Sequence, residues 1–254
     1  MIPKTIHYCW FGHNPKPKLA EKCIKSWKKY CPDYEIIEWN EDNFDIQSSP
    51  LYVRQAYEAR KWAFVTDYVR LYALTQFGGI YMDTDVEVVR SLDAFLQHQA
   101  FSGFEDQEHI PTGIMACEKG NPLFVSWLSE YADMQFINED GSYNMQTNVI
   151  TITNSMKNCG MRFDNSLQVV SGCAFYPNDY FCPKEFTTNK IVTTERTHTI
   201  HHFAGSWIDE ADKKRMQKSR RAKRLESLRY LPNRTLIKLL GQENYNKFKK
   251  LFGR

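Results

Sequence analysis

Between Ala63 and Phe77 apolar residues recur at steps of three and four: Phe64, Tyr68, Leu71 and Tyr72, with Thr75 on the same line. This spacing predicts a helix with one apolar face. Gly78-Gly79 ends it, because only glycine enters the left-handed cap region at little cost. Ile80-Tyr81-Met82 then reads as a short buried strand, and it stops on two carboxylates, Asp83 and Asp85, with one small residue between them.

The same reading extends along the chain. Ile2 to Phe11 is a buried first strand ending at Gly12, and Leu19 to Tyr30 is a helix with Ile24, Trp27 and Tyr30 on one face. Tyr34 to Trp39 is a strand, so a βαβ start with parallel pairing is expected. A helix over Leu51 to Glu58 leads into the stretch above. Strands follow at Val86–Val89, Ala100–Phe104 and Ile114–Cys117, and a helix at Pro122–Met134. Residues 135–160 are polar and rich in Asn and Thr, Val169-Val170 and Ala174–Tyr176 read as edge strands, and 178–199 is loop-rich. The expected class is α/β, a central sheet with flanking helices.

The 254 residues are 42% apolar and 25% charged, ordinary for a globular protein with a sizeable core. Charge is uneven. The net +3 divides into +10 for residues 209–254, with 15 Lys+Arg against 5 Asp+Glu, leaving −7 for residues 1–208. Two regions are therefore expected: a body, 1–208, and a basic helical segment, 209–254. In the latter, leucines, isoleucine and phenylalanines interleave with the cations, the pattern of an interfacial helix. No apolar run reaches the ~20 residues of a membrane span, and the first residues lack a signal peptide's basic start and apolar core. Seven scattered cysteines without a CxxC pair argue against a zinc ribbon or disulfide framework and for reduced thiols. A cytoplasmic protein is expected.

Carboxylates at i and i+2 at a strand end can bend toward one point, and two hard oxygen donors suit Mn²⁺ or Mg²⁺. A divalent ion in turn suits a diphosphate. Neither GxGxxG nor GxxxxGK[ST] follows the first strand, so a Rossmann dinucleotide site and a P-loop are not supported. Trp10, at the end of that strand, can stack on a base or fill the core; His7 reads as a core histidine. Glu105 and Asp106 stand at a later strand end and read as exposed loop acids. A second cluster, Ile200 to Trp207, puts His202, Ser206 and Trp207 within about one turn, and an imidazole there can complete a metal shell begun by carboxylates.

Three separated segments, IHYCWFG at 6–12, TDYVRLYALTQFGGIYMDTD at 66–85 and HHFAGSW at 201–207, together with Ser26-Trp27-Lys28, carry a resemblance. The chain resembles the glycosyltransferases with a DxD sugar-binding motif, which include yeast α-mannosyltransferases and bacterial capsule and lipopolysaccharide enzymes. It is similar, too, to the glucosyltransferase domain of large clostridial toxins. The resemblance covers residues 1–207. It implies a GT-A fold with a mostly parallel central sheet, a nucleotide-sugar donor (a UDP-sugar above all) and Mn²⁺ or Mg²⁺. It assigns Trp10 to stacking on the uracil, Asp67 and Arg70 to the donor hexose hydroxyls, and Tyr81 and Asp83 to the nucleotide and ribose. Asp85 becomes the direct metal ligand, with Asp67, Arg70, Asp83 and Asp85 as the catalytic set. Ser206 and Trp207 would close over the diphosphate. A further metal ligand is expected near the last segment, His202 first and His201 second. No role is carried to Thr147-Asn148-Val149.

The implied reaction is hexose transfer, with retention, to a saccharide acceptor in bacterial surface polysaccharide synthesis. Such acceptors ride on lipids, so a peripheral position on the inner face of the cell membrane, tail against anionic lipid, is expected. The rival readings are an effector-like transferase acting on a protein, a nucleotide-sugar hydrolase and a nucleotidyltransferase. A nucleic-acid-binding protein is opposed by the acidic body and the lack of any nucleic-acid motif.

Overall fold

The computed structural model describes residues 1–106, 108–185, 188–205, 241, 243–247 and 249. Two compact units are distinguished: Met1–Glu185 with Ile191–Trp207, and Phe186–Lys190 with Ile208–Arg254. In the second, residues 243–247 are helical and Lys247 pairs with Glu243 at 2.8 Å, one turn away. Most of the basic segment 209–254 lies outside the described residues.

The first unit is an α/β body. Its strands are β1 (Thr5–Cys9), β2 (Glu35–Trp39), β3 (Gly79–Met82), β4 (Val86–Val88), β5 (Ala100–Gly103), β6 (Ile114–Cys117), β7 (Gln168–Val170), β8 (Cys173–Tyr176) and β9 (Thr199–His201). The helices are α1 (Lys18–Tyr30), α2 (Leu51–Glu58), α3 (Trp62–Phe77), α4 (Pro122–Ser129), α5 (Asn148–Asn158) and α6 (Asn178–Phe181). Seven strands form one sheet in the order β2-β1-β3-β6-β5-β8-β7. β1 is parallel to both β2 and β3, and β5 to β8; the β3–β6, β5–β6 and β7–β8 pairs are antiparallel. The expected parallel βαβ start is therefore present.

Alternation along the strands builds two cores, one on each face of this sheet. Cys9, Tyr81, Met115 and Phe175 face a cluster completed by α2, α3, α4 and α5. Ile6, Tyr8, Ile80, Met82 and Ala116 face another, completed by Cys23 and Trp27 of α1 and by Phe95 and Phe181. β3 is buried along its whole length, which explains its continuous apolar run. Its entry depends on Gly78 and Gly79, at φ +70° and +103°; a Cβ on Gly79 would stand 2.7 Å from the Thr5 carbonyl oxygen.

One difference from the sequence reading lies in 135–160. Asn148–Asn158 is helical, with Asn148, Ile152, Thr153 and Met156 buried, an element that the polar, Asn- and Thr-rich reading of 135–160 does not name. Packing of Ile152 and Met156 against the core overrides weak local propensity there. The helix expected over Pro122–Met134 ends at Ser129 and continues as a 3-10 turn. Six of the seven cysteines are buried and all are free, and His7 is a satisfied core residue. Its Nδ1 accepts from the Trp39 indole at 3.1 Å, and its Nε2 stands 2.8 Å from the Gly78 carbonyl oxygen. Among the described residues no helix is long and apolar enough to cross a membrane.

Trp27 fixes what comes after the aspartates. It is fully buried and donates its indole N–H to the Val86 carbonyl at 2.7 Å, while the Val88 amide donates to Ser26 Oγ at 2.9 Å. Trp27→Ala is expected to cost about 3–5 kcal/mol of stability, read as a lower urea midpoint at unchanged slope. A loss below ~1 kcal/mol would remove Trp27 as the anchor of β4.

Candidate functional site

The site forms where β3 ends. The chain turns after Met82, with the Asp83 amide donating to Gly113 O at 2.9 Å and the Val86 amide to Asp83 O at 2.9 Å. β4 then pairs antiparallel with β9 in a two-stranded sheet whose register sets Val86 opposite His201. That register brings a histidine more than a hundred residues away to the aspartates. One ligand atom each from Asp83, Asp85 and His201 lie within 4.8 Å of one another.

Neighbouring residues of a strand point to opposite faces, so only one of His201 and His202 can face the pair. His201 does, with Nε2 3.3 Å from Asp85 Oδ1. His202 Nε2 lies 2.8 Å from Glu87, which also holds Lys22 at 2.8 Å. Of the two histidines named from the sequence, the structure thus groups His201, not His202, with Asp83 and Asp85.

The charges around Asp85 are arranged to keep it ionised. Burial pushes its carboxyl up, but His201 beside it and the Ala204 amide, donating to Oδ2 at 2.7 Å, hold it down to about 2. Burial favours the neutral imidazole at His201; Asp85 outweighs this and raises its pKa well above the ordinary value. Among the described residues no hydrogen-bond partner meets the buried His201 Nδ1, and the Cys182 thiol stands close enough to interact with the ring.

A second set of charges stands beside the first, on α3. Asp67 and Arg70, one turn apart, are each only 5% exposed. Arg70 NH2 lies 3.3 Å from Asp67 Oδ1 and 3.4 Å from Asp83 Oδ1, and NH1 donates to Thr112 O at 2.6 Å. Its guanidinium sits 4.8 Å over the Tyr81 ring, and the Tyr81 hydroxyl donates to Asp83 Oδ1 at 2.8 Å. Tyr81 is buried and so acts on Asp83 directly. Burial raises Asp67 to about 6, against the pull of Arg70. The amide of Asn148, first residue of α5, donates to Asp67 Oδ2 at 3.2 Å, and its side chain donates to Asp67 O at 3.3 Å. Asn148 and Thr112 are site residues that sequence reading missed. The first stands in a polar stretch and the second acts through its carbonyl, which carries no sequence signature.

Trp10 lies just beyond β1, half-buried on the sheet face of Tyr8 and Trp27. Its indole N–H donates to Asn14 O at 2.6 Å, and Lys16 Nζ sits 5.8 Å over the ring. Near it a cavity of about 570 Å³ is lined by Gly12, His13, Asn14, Tyr57, Arg60 and Trp62. Its lining includes none of Trp10, Asp67, Arg70, Asp83, Asp85 and His201. Ser206 and Trp207 lie outside the described residues.

Residues 17–102 match the family described as the glycosyltransferase sugar-binding region containing DXD motif. The chain is 31% identical over 128 residues to inositol phosphoceramide mannosyltransferase 3 of Schizosaccharomyces pombe, covering 49% of this chain and 35% of that protein. It is 23% identical over 172 residues to the subversion of eukaryotic traffic protein A of Legionella pneumophila, covering 55% of this chain and 26% of that one. The chain spans about a third or less of these curated relatives. A solved galactosyltransferase, LgtC, aligns at 14% identity with a TM-score of 0.41, over 86% of this chain and 95% of its own. Asp83-Thr84-Asp85 lies within the matched stretch 17–102 and has the Asp-x-Asp form that the family's description names.

Proposed function

We propose that the chain is a metal-dependent glycosyltransferase of the GT-A type that moves a hexose from a nucleotide sugar to a saccharide acceptor. The observation that carries this reading is the convergence of Asp83, Asp85 and His201 at the end of β3. Two carboxylates and an imidazole form a mixed oxygen and nitrogen set that fits Mn²⁺, with Mg²⁺ as the harder alternative. Such an ion supplies Lewis-acid stabilisation of a departing diphosphate. Asp85 and a neutral His201 would hold it, and Asp83, fixed by Tyr81 and Arg70, would face it. The Asp67–Arg70 pair offers both an acceptor and donors to hexose hydroxyls. Trp10, Ser206 and Trp207 keep their proposed places at the base and the diphosphate.

The names of the yeast relatives support a mannosyl donor and a lipid-borne inositol-type acceptor over a bacterial surface polysaccharide. UDP- and GDP-sugars, the mannose donor included, are therefore screened with and without an acceptor lipid. Transfer appearing only with acceptor supports the reading. Donor cleavage that no acceptor redirects would make the protein a hydrolase, and no turnover of any donor would remove the enzyme reading.

The raised pKa of Asp67 gives a pH signature. Folding lifts this carboxyl from 3.8 to about 6, so its charged form weakens the fold as pH rises through that window. Donor hydroxyls need the charged acceptor, so donor affinity is expected to fall as pH drops through about 6. Asp67→Asn should weaken binding at neutral pH and flatten that step. An unaltered profile would place another group at the hexose.

We also propose that segment 209–254 holds the enzyme to the cytoplasmic face of a membrane. Each Lys or Arg at an anionic surface contributes about 1 kcal/mol, screened within a Debye length. Flotation with anionic but not neutral liposomes, lost at high salt and on deleting 209–254, is expected. Equal recovery with both lipids would leave the segment as a solvated helix.

A further inference from the structure

We infer that Gly113 is a positioning residue, its missing side chain being what lets His201 reach the metal; this rests on the metal-site reading above. A Cβ built on Gly113 would stand 2.9 Å from His201 Cε1, 3.0 Å from Nδ1 and 3.3 Å from Asp83 Oδ2. Real Cβ atoms do not approach that closely, so the imidazole would have to move. The Gly113 φ lies outside the left-handed region, unlike those of Gly78 and Gly79, so its backbone conformation does not itself require glycine. Space alone requires it.

The place of Gly113 explains why this space matters. It precedes β6, and its carbonyl takes the Asp83 amide at 2.9 Å. The adjacent Thr112 carbonyl takes Arg70 NH1 at 2.6 Å. Thr112 and Gly113 therefore fix Asp83 and Arg70 by their main chain while His201 packs against the bare Cα. His201 ends β9, and its ring is the far end of a side chain, so it can swing away without unravelling the sheet. A methyl group here is expected to spare the fold and misplace the ligand. That makes the Gly113–His201 contact a determinant of metal affinity set from the sheet rather than from the ligands.

Mn²⁺ binding by the full chain, followed by electron paramagnetic resonance of the free ion, tests this. Gly113→Ala should weaken Mn²⁺ binding by about 10–100-fold, the range for disturbed ligand orientation, with the melting temperature little changed. In a His201→Ala background, which is itself weakened, adding Gly113→Ala should change the dissociation constant by less than about twofold, because non-additivity marks two residues acting through one contact. If Gly113→Ala proves unstable, His201→Ala should restore stability by removing the clash. Wild-type affinity in Gly113→Ala, an equal further loss in the His201→Ala background, or failure of that substitution to restore stability would each overturn the inference. These outcomes leave the metal reading standing if the wild type binds Mn²⁺; a wild type that binds none overturns both.

Discussion

Asp85→Asn is expected to lower glycosyl transfer by at least 10²–10³-fold, roughly the scale for removing a preorganised group that stabilises developing charge. The fold should survive. The amide is isosteric, and its oxygen can still accept from the Ala204 amide that now bonds Oδ2 at 2.7 Å. What disappears is the anion that faces His201 and would face the metal. Two effects then act together. A ligand charge is lost, and the imidazole loses the carboxylate that pairs with it at 3.3 Å. Donor binding in Mn²⁺ should weaken with turnover, because Asp85 would help hold the ion whose charge favours the diphosphate. Circular dichroism checks the fold, and steady-state transfer at saturating metal gives the rate. Full activity at matched metal would take Asp85 out of the site.

Arg70→Ala is the second large effect, and it falls on the fold as well as the reaction. Arg70, itself 5% exposed, lies between two carboxylates and a main-chain carbonyl. Its removal leaves Asp67 buried without its cation, and breaking a buried pair in this way costs about 3–5 kcal/mol. Asp67 can limit that cost by taking a proton, since burial already holds its carboxyl up to about 6. The variant should therefore lose less stability at pH 5 than at pH 8. Arg70→Lys should rescue only part, because an ammonium cannot serve Asp67, Asp83 and Thr112 with a planar fork. A melting temperature equal to wild type at pH 8 would show that the pair carries no strain and that Asp67 needs no cation.

The sequence made the core of the site legible because it is local. The helix, the Gly78-Gly79 break, the buried strand and the two aspartates are contiguous, so Asp83 and Asp85 read as a pair from the residues themselves, while Asp67 and Arg70 are named through the family resemblance. The parts that were not legible are those set by pairing over long distance. Choosing between His201 and His202 needs the β4–β9 register, Val86 opposite His201, and nothing in either segment states it. A shift by one residue would have exchanged the two histidines. Thr112 and Gly113 act through carbonyl oxygens and an absent side chain. Asn148 reaches Asp67 because α5 packs by Ile152 and Met156, in a stretch whose Asn and Thr content gives no helical signal. The sheet itself combines parallel and antiparallel pairs, and strands as short as three or four residues carry no signal for which of the two they will form.

The measurement that bears most directly on the account is calorimetric titration of a nucleoside diphosphate, UDP and GDP in turn, into wild type and Asp85→Asn, with Mn²⁺ and with chelator. One of the two nucleotides is expected to bind the wild type in Mn²⁺, chelator to abolish most of this binding, and Asp85→Asn in Mn²⁺ to behave like the chelated wild type. Equal affinity with and without metal, or no nucleotide binding to the folded wild type, would contradict the claim that Asp83, Asp85 and His201 hold an ion for a diphosphate.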